Sequence, residues 1–416
     1  MRIICNELKK IWSLKILVII VILSGFVFIS MSGNIAGYPR GVWFLEVDMT
    51  HHLTEKYGTT LTRDDFEDFL KYEETIIQEV NEFIASRQVF IDAGIFDLDD
   101  YLAFRYETGQ LYETLTDEEL KQRVSITAEM GFITRLRDGT DIQPNPHEPS
   151  MAWRKWTSFH NVVERYRTNV LGESEWEATI DSFIAHAPLS EREKQRAIEI
   201  RDSGEITNIM TFWTVMHTWR YAVSLAPLVI FATLILVSQL ITTDRASRVN
   251  WLQYSSKQGR DIFKKQFLAV LISAVFMTTL LVVIFAGVYG VRTEVYELWN
   301  NGINSFLNSR FYWFSITFGQ YSLLISGIMY LLSIGTATVA FVFSRFSRNV
   351  ITLLLKIIPL FIASAILSDW ILEDFLAIHY GGDIILQFFA LAIALFVAGI
   401  IAFVVIKRER RVELVN

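Results

Sequence analysis

Seven histidines, one cysteine and the short catalytic signatures are the first places to look for chemistry in this chain. His51, His52, His147, His160, His186, His217 and His379 show no metal-ligand spacing. Only His51 and His52 adjoin, and neighbours on a helix or strand do not share a face. No Gly-x-x-x-x-Gly-Lys-Ser/Thr loop, His-Glu-x-x-His pair or Gly-x-Ser-x-Gly elbow occurs, so no P-loop for ATP and no hydrolase site is expected. Cys5 stands alone and cannot close an internal disulfide. The sequence predicts a non-enzyme with no catalytic residue, cofactor or metal of its own. What it concentrates instead is charge. Residues 243–265 carry Arg245, Arg248, Lys257, Arg260, Lys264 and Lys265 against only Asp244 and Asp261. The chemistry open to such a segment is the binding of anionic groups.

That segment lies between two long apolar runs, 221–242 and 267–289, each long enough to cross a hydrocarbon core of about 30 Å. Lys and Arg accumulate in short cytoplasmic loops, so the segment marks the inner side of a membrane. Composition agrees: the chain is 52% hydrophobic with a mean hydropathy of +0.32. Its formal charge of −7 is split unevenly. Residues 36–218 hold 34 Asp and Glu against 18 Lys and Arg, a net of −16, so the remainder carries +9. Four further spans, 16–35, 318–343, 350–367 and 384–406, complete the pattern with 219–242 and 266–289. Arg345 and Arg348 mark the inner loop 344–349, and Lys407, Arg408, Arg410 and Arg411 the inner tail 407–416. Residues 368–383 carry Asp369, Glu373, Asp374 and Asp383 without a basic residue and belong outside.

The predicted fold class is an all-α polytopic membrane protein, with six transmembrane helices and a large helical extracellular domain, 36–218, between the first two. Both termini are cytoplasmic and the location is the cell membrane, which suits a bacterial surface protein. Residues 1–15 form an amphipathic helix with Ile4, Leu8, Ile11 and Trp12 on one face. In the outside domain, Thr62, Thr116, Ser174 and Ser190 each stand three residues before an acid, the pattern of a capped helix start. From Met151 to about Leu171, Trp153, Trp156, Phe159, Val163 and Tyr166 recur at helical spacing and are expected to face the domain's own core rather than a ligand groove. Residues 290–317, rich in Trp, Tyr and Asn, read as an outer loop with Trp299, Tyr312 and Trp313 in the headgroup belt.

This arrangement resembles the permeases of ABC-2-type ATP-binding-cassette transporters. Four features carry the likeness: the amphipathic start, six spans, the basic loop after span two, and a short polar turn between spans five and six. In that family the loop runs from an acidic residue through a Leu-Ser-x-Pro-x-Gly/Ser-Arg stretch to a Lys. Asp244, Leu252, Ser255, Ser256, Gly259, Arg260 and Lys264 or Lys265 would occupy those places. Asp244 stands for a glutamate, and no proline precedes Gly259. The likeness covers about 230 residues and not the outside domain. It implies a coupling loop seated in a separate cytoplasmic ATPase subunit, which supplies ATP and Mg, with Asp244, Arg248, Trp251, Leu252, Tyr254, Lys257, Gly259 and Arg260 as coupling residues. Trp251, Leu252 and Tyr254 offer apolar anchors, and Arg248, Lys257 and Arg260 suit an acidic partner surface. It also implies a second permease, identical or related, and outward movement of a peptide, antibiotic, lipid or ion. Membrane lipid is a further expected partner; nucleic acid is not.

Two positions inside span five stand apart. Lys356 is its one basic residue, about 12 Å from the inner edge at 1.5 Å per residue, so it either snorkels or serves a pathway or subunit interface. Pro359 and Pro227 are expected to kink their helices. A short helix of Trp370, Ile371, Phe375 and Leu376 is expected to dip into the outer leaflet. The rival reading is a membrane-anchored sensor whose outside domain binds a ligand. The lack of a substantial inner output domain counts against it.

Overall fold

The computed structural model describes residues 2–32, 43–130, 134–135, 141–142, 151–173, 184–238, 240, 244, 262–308, 310–378 and 384–409. The described elements are helical apart from one two-residue ladder, Thr134–Arg135 with Asp141–Ile142. In chain order the first helices are α1 (Arg2–Ile11), α2 (Leu14–Val27), α3 (Trp43–Tyr57), α4 (Arg63–Leu70), α5 (Tyr72–Ala85), α6 (Gln88–Asp92), α7 (Leu98–Gln110), α8 (Asp117–Ala128), α9 (Met151–Tyr166) and α10 (Glu191–Asp202). The long helices follow: α11 (Phe212–Ser238), α12 (Ile262–Thr293), α13 (Phe318–Arg345), α14 (Val350–Leu372) and α15 (Ile384–Glu409).

Those last five are long and apolar enough to cross a membrane, and α1 with α2, bent by 49° at Trp12 and Ser13, adds a sixth when the pair is taken as one span. A helix satisfies its backbone polar groups internally, as hydrocarbon requires. The described fold is thus that expected of a helical membrane protein, with five apolar helices of membrane-spanning length. Helix α11 is the bundle's axis. Of its most apolar window 72% is buried, against 17% in α14 and 22% in α15. It packs on α2, α12, α13 and α14, while α13 also holds α15. Buried Ala226, Ala232, Ala274, Ala337 and Ala340 let the backbones approach closely. At mid-bundle the Ser333 hydroxyl joins Thr233 at 3.0 Å and Thr278 at 2.8 Å, tying three helices together. α11 and α14 each remain one helix through Pro227 and Pro359.

The described residues between 43 and 210 form a second, mainly helical body at one end of the bundle. Its helix starts are set by local chemistry: Thr62, Thr116 and Ser190 each close a capping box with Asp65, Glu119 and Glu193. The matching pattern at Ser174 lies outside the described residues. Helix α9 joins two cores. Trp153 packs with Tyr101 and Phe90 in one; Phe159, Val163 and Tyr166 pack with Phe66 and Phe69 in the other. Tyr166 stacks on Phe66 with ring centroids 4.2 Å apart. The aromatic face of α9 thus serves its own core, each large side chain contributing about 1.5–3 kcal/mol by burial.

Candidate functional site

At the bundle end remote from that body, four polar side chains from three elements converge. Amphipathic α1 lays Ile4, Leu8 and Ile11 against the bundle. On the same face, three residues past Ile4 and four before Ile11, it carries Glu7, only 5% exposed. Lys10 donates to Glu7 at 2.9 Å and to Asp244, just past α11, at 3.0 Å. Gln266, near the start of α12, donates to Asp244 at 2.8 Å and to Glu7 at 3.2 Å. Asp244 and Gln266 are both 4% exposed. One turn further, the Trp12 indole N–H donates to Ser273 Oγ at 3.1 Å. Buried carboxylates persist only when paired and hydrogen-bonded. This knot therefore fixes α1, the end of α11 and the beginning of α12 relative to one another.

Asp244 thus stands at the root of the basic loop. Arg248, Trp251, Leu252, Tyr254, Lys257, Gly259 and Arg260 lie outside the described residues. Lys356 Nζ donates to the Phe346 carbonyl at 2.9 Å, ten residues back, so its amine reaches along α14 toward the preceding loop. Pro359 lies three residues further along α14, exposed on the helix surface. Sequence reading passed over Glu7, Lys10 and Gln266. A carboxylate on the apolar stripe of α1 and an amide inside the apolar run of α12 were the available signals.

The other end of the bundle departs from expectation. Within the expected outer loop, residues 295–308 and 310–317 form a packed plug against the helical body. Ile303, Phe306, Leu307, Phe311 and Tyr312 are buried, and Phe306, Leu307 and Phe311 complete the core around Tyr166. Buried asparagines act as struts. Asn301 Nδ2 donates to Ile209 O at 2.6 Å and Thr54 Oγ1 at 2.8 Å, and Asn304 Oδ1 accepts from the Tyr312 N–H at 2.7 Å. Tyr312, expected in the headgroup belt, is 1% exposed because the chain folds back to pair it with Ala377. Trp299 alone of the three expected belt aromatics is well exposed, at 44%.

Glu205 closes the same junction, accepting from Ser315 at 2.7 Å, Asn304 at 2.8 Å and Arg196 at 2.9 Å. Burial opposes its charge, but those hydrogen bonds and the Arg196 guanidinium outweigh it and hold its pKa below the usual glutamate value. The expected short helix after span five is also absent. Trp370 and Ile371 belong to α14, while Phe375 and Leu376 are buried in the plug's underside. Asp374 meets Arg310 of the plug, and Asp374 and Leu376 take left-handed φ values of 46° and 66°. The plug holds this turn through Trp313 N–H to Leu376 O at 3.0 Å and Ile378 N–H to Phe311 O at 2.7 Å.

Among the described residues no group of three or more His, Cys, Asp or Glu could hold a metal ion. Fold and composition are consistent with a helical membrane protein: five apolar candidate spans form a bundle with a helical body seated on one end. Set against family models, curated proteins and solved structures, the chain matches none.

Proposed function

We propose that this protein is the membrane-spanning permease subunit of an ABC-2-type exporter. It moves its substrate outward with ATP hydrolysed by a separate cytoplasmic ATPase subunit, and it pairs with a second permease, identical or related. In this reading α1 and the two chain ends are cytoplasmic and the body formed by residues 43–210 is extracellular. The observation that carries the reading is the Glu7–Lys10–Asp244–Gln266 knot. A partner pressing on the basic loop acts on its root at Asp244. That root is rigidly joined to α1 and α12 and lies at the end of the bundle's axial helix. Force at the loop therefore reaches three helices at once.

The test is affinity purification of the tagged chain in mild detergent, with mass spectrometry of what accompanies it. An ATPase bearing a P-loop is expected with the wild type and is lost from Trp251→Asp/Arg260→Glu. Retention by the double variant moves the coupling surface elsewhere. Absence of any ATPase in every mild detergent overturns the permease reading and leaves a ligand-binding sensor as its replacement.

A further inference from the structure

A cavity of about 350 Å³ opens between α11, α12 and α13 at the end of the bundle that carries the plug. Its size falls within the range of small-ligand sites, about 300–1,000 Å³. Leu225, Val282, Ile325 and Met329 line its depth, and Trp299 and Tyr296 lie at its upper rim.

The hydroxyls of Thr218, Tyr221, Tyr289, Ser322 and Ser326 in its lining are already engaged. Thr218 and Tyr289 pair their hydroxyls at 3.0 Å, and Tyr221 donates to Phe285 O at 2.8 Å. Ser322 and Ser326 donate to carbonyls of their own helix, each at 2.9 Å. Little remains for a polar solute to recognise, so the cavity favours an apolar body. The mouth is equally distinctive. Gly287 and Gly290, one turn apart on α12, have nothing within 4 Å of where a Cβ would stand, which cuts a notch in the wall. Around it Val283, Ile284 and Val291 are 63%, 51% and 76% exposed, so the notch opens sideways onto an apolar surface. The roof is built rather than incidental: a Cβ on Gly319 would stand 2.3 Å from the Trp299 ring, so that glycine is what lets the indole seat there.

We infer that this groove binds one alkyl chain, entering sideways through the Gly287–Gly290 notch, with the head group left outside the groove. The chain is an acyl chain of a bilayer lipid, because the notch opens onto the exposed apolar surface of α12. The inference rests on the bundle lying in a bilayer and is independent of the ATPase partner proposed above.

The experiment places the full-length protein in phosphatidylcholine nanodiscs containing a phospholipid with a diazirine at the end of one acyl chain. After irradiation the labelled peptides are mapped by mass spectrometry. Peptides spanning 221–225 and 325–329 are expected to carry more label than the lipid-facing surfaces of α14 and α15. Gly287→Phe, whose Cβ meets nothing within 4 Å, projects a ring into the notch and lowers that label about tenfold, equivalent to about 1.4 kcal/mol of binding. Ile272→Phe, 41% exposed on the same helix about four turns from the notch, leaves it unchanged. Thermal unfolding of both variants verifies that they fold. Label spread evenly over every lipid-facing helix, and indifferent to Gly287→Phe, overturns the groove. No label on α14 and α15 either would overturn the bilayer placement itself, a separate failure. Competition with a single-chain alkyl amphiphile tests the occupant: label that persists supports a resident lipid, and label that is displaced overturns the lipid assignment in favour of a handled amphiphile.

Discussion

Replacing Lys10 with Met removes a cation that bridges Glu7 and Asp244, whose side chains are only 6% and 5% exposed. Deleting one partner of a buried ion pair costs about 3–5 kcal/mol, because the remaining charge stays buried. Lys10 itself is 40% exposed, so water already screens part of its interaction, and the expected cost falls to about 2 kcal/mol. The loss is local to α1, whose hold on the bundle it weakens. At about 1.4 kcal/mol per factor of ten, hydrogen-exchange protection of the α1 amides falls about 30-fold. Amides of α9, in the separate body, serve as the internal reference. Adding Glu7→Gln removes one of the stranded carboxylates and recovers about 1 kcal/mol, a coupling expected only of side chains in contact. Exchange mass spectrometry of the protein in nanodiscs reads both effects. Protection of α1 in Lys10→Met within threefold of wild type, or strict additivity of the two changes, would refute the knot as the anchor of this helix.

Acid should loosen the junction between plug and helical body. Glu205 has a depressed pKa when folded, so its contribution is complete above the unfolded value of 4.5 and is lost as pH falls through the lower folded value. Unfolding followed between pH 7 and pH 3 should show that loss. Glu205→Gln flattens this part of the profile and costs about 1–3 kcal/mol at pH 7 by leaving buried donors poorly paired. Gly319→Ala drives a methyl into the Trp299 ring and costs about 1–3 kcal/mol, seen as a lower unfolding midpoint. Ser333→Ala removes the hydroxyl shared by Thr233 and Thr278 and costs about 1 kcal/mol by the same measurement. Lys356→Met, whose amine only caps the Phe346 carbonyl, changes stability by less than about 0.5 kcal/mol and leaves transport intact. Loss of transport in a well-folded Lys356→Met protein would instead mark a pathway lysine.

The sequence announces features that are local. Capping boxes at Thr62, Thr116 and Ser190 are written in four consecutive residues, and the apolar stripe of α1 in eleven. The five long helices are visible from apolar length alone because hydrocarbon admits few other solutions. What stayed hidden depends on distant partners. Glu7 meets Gln266 from 259 positions away, and no periodicity reports such a pairing. The plug was misread for a physical reason. Asn301, Asn304 and Asn308 look like solvated loop residues, yet each satisfies buried backbone or side-chain groups. Their interleaving with Ile303, Phe306, Leu307 and Phe311 was the clue, since an exposed loop has no use for four large apolar side chains in nine residues. The acidic turn after span five, placed outside by its charge, hides its partner in the same way, since the arginine that meets Asp374 comes from the plug.

The most direct test of the central claim is cross-linking at the basic loop. In a Cys5→Ser background, Lys257→Cys is the only thiol, and it sits on the loop rooted at Asp244. In intact cells a short bifunctional maleimide that crosses membranes should join it to an ATPase bearing a P-loop, while a membrane-impermeant maleimide should leave it unlabelled. Labelling of Lys257→Cys from outside the cell, with no ATPase attached, would contradict both the orientation and the coupling role.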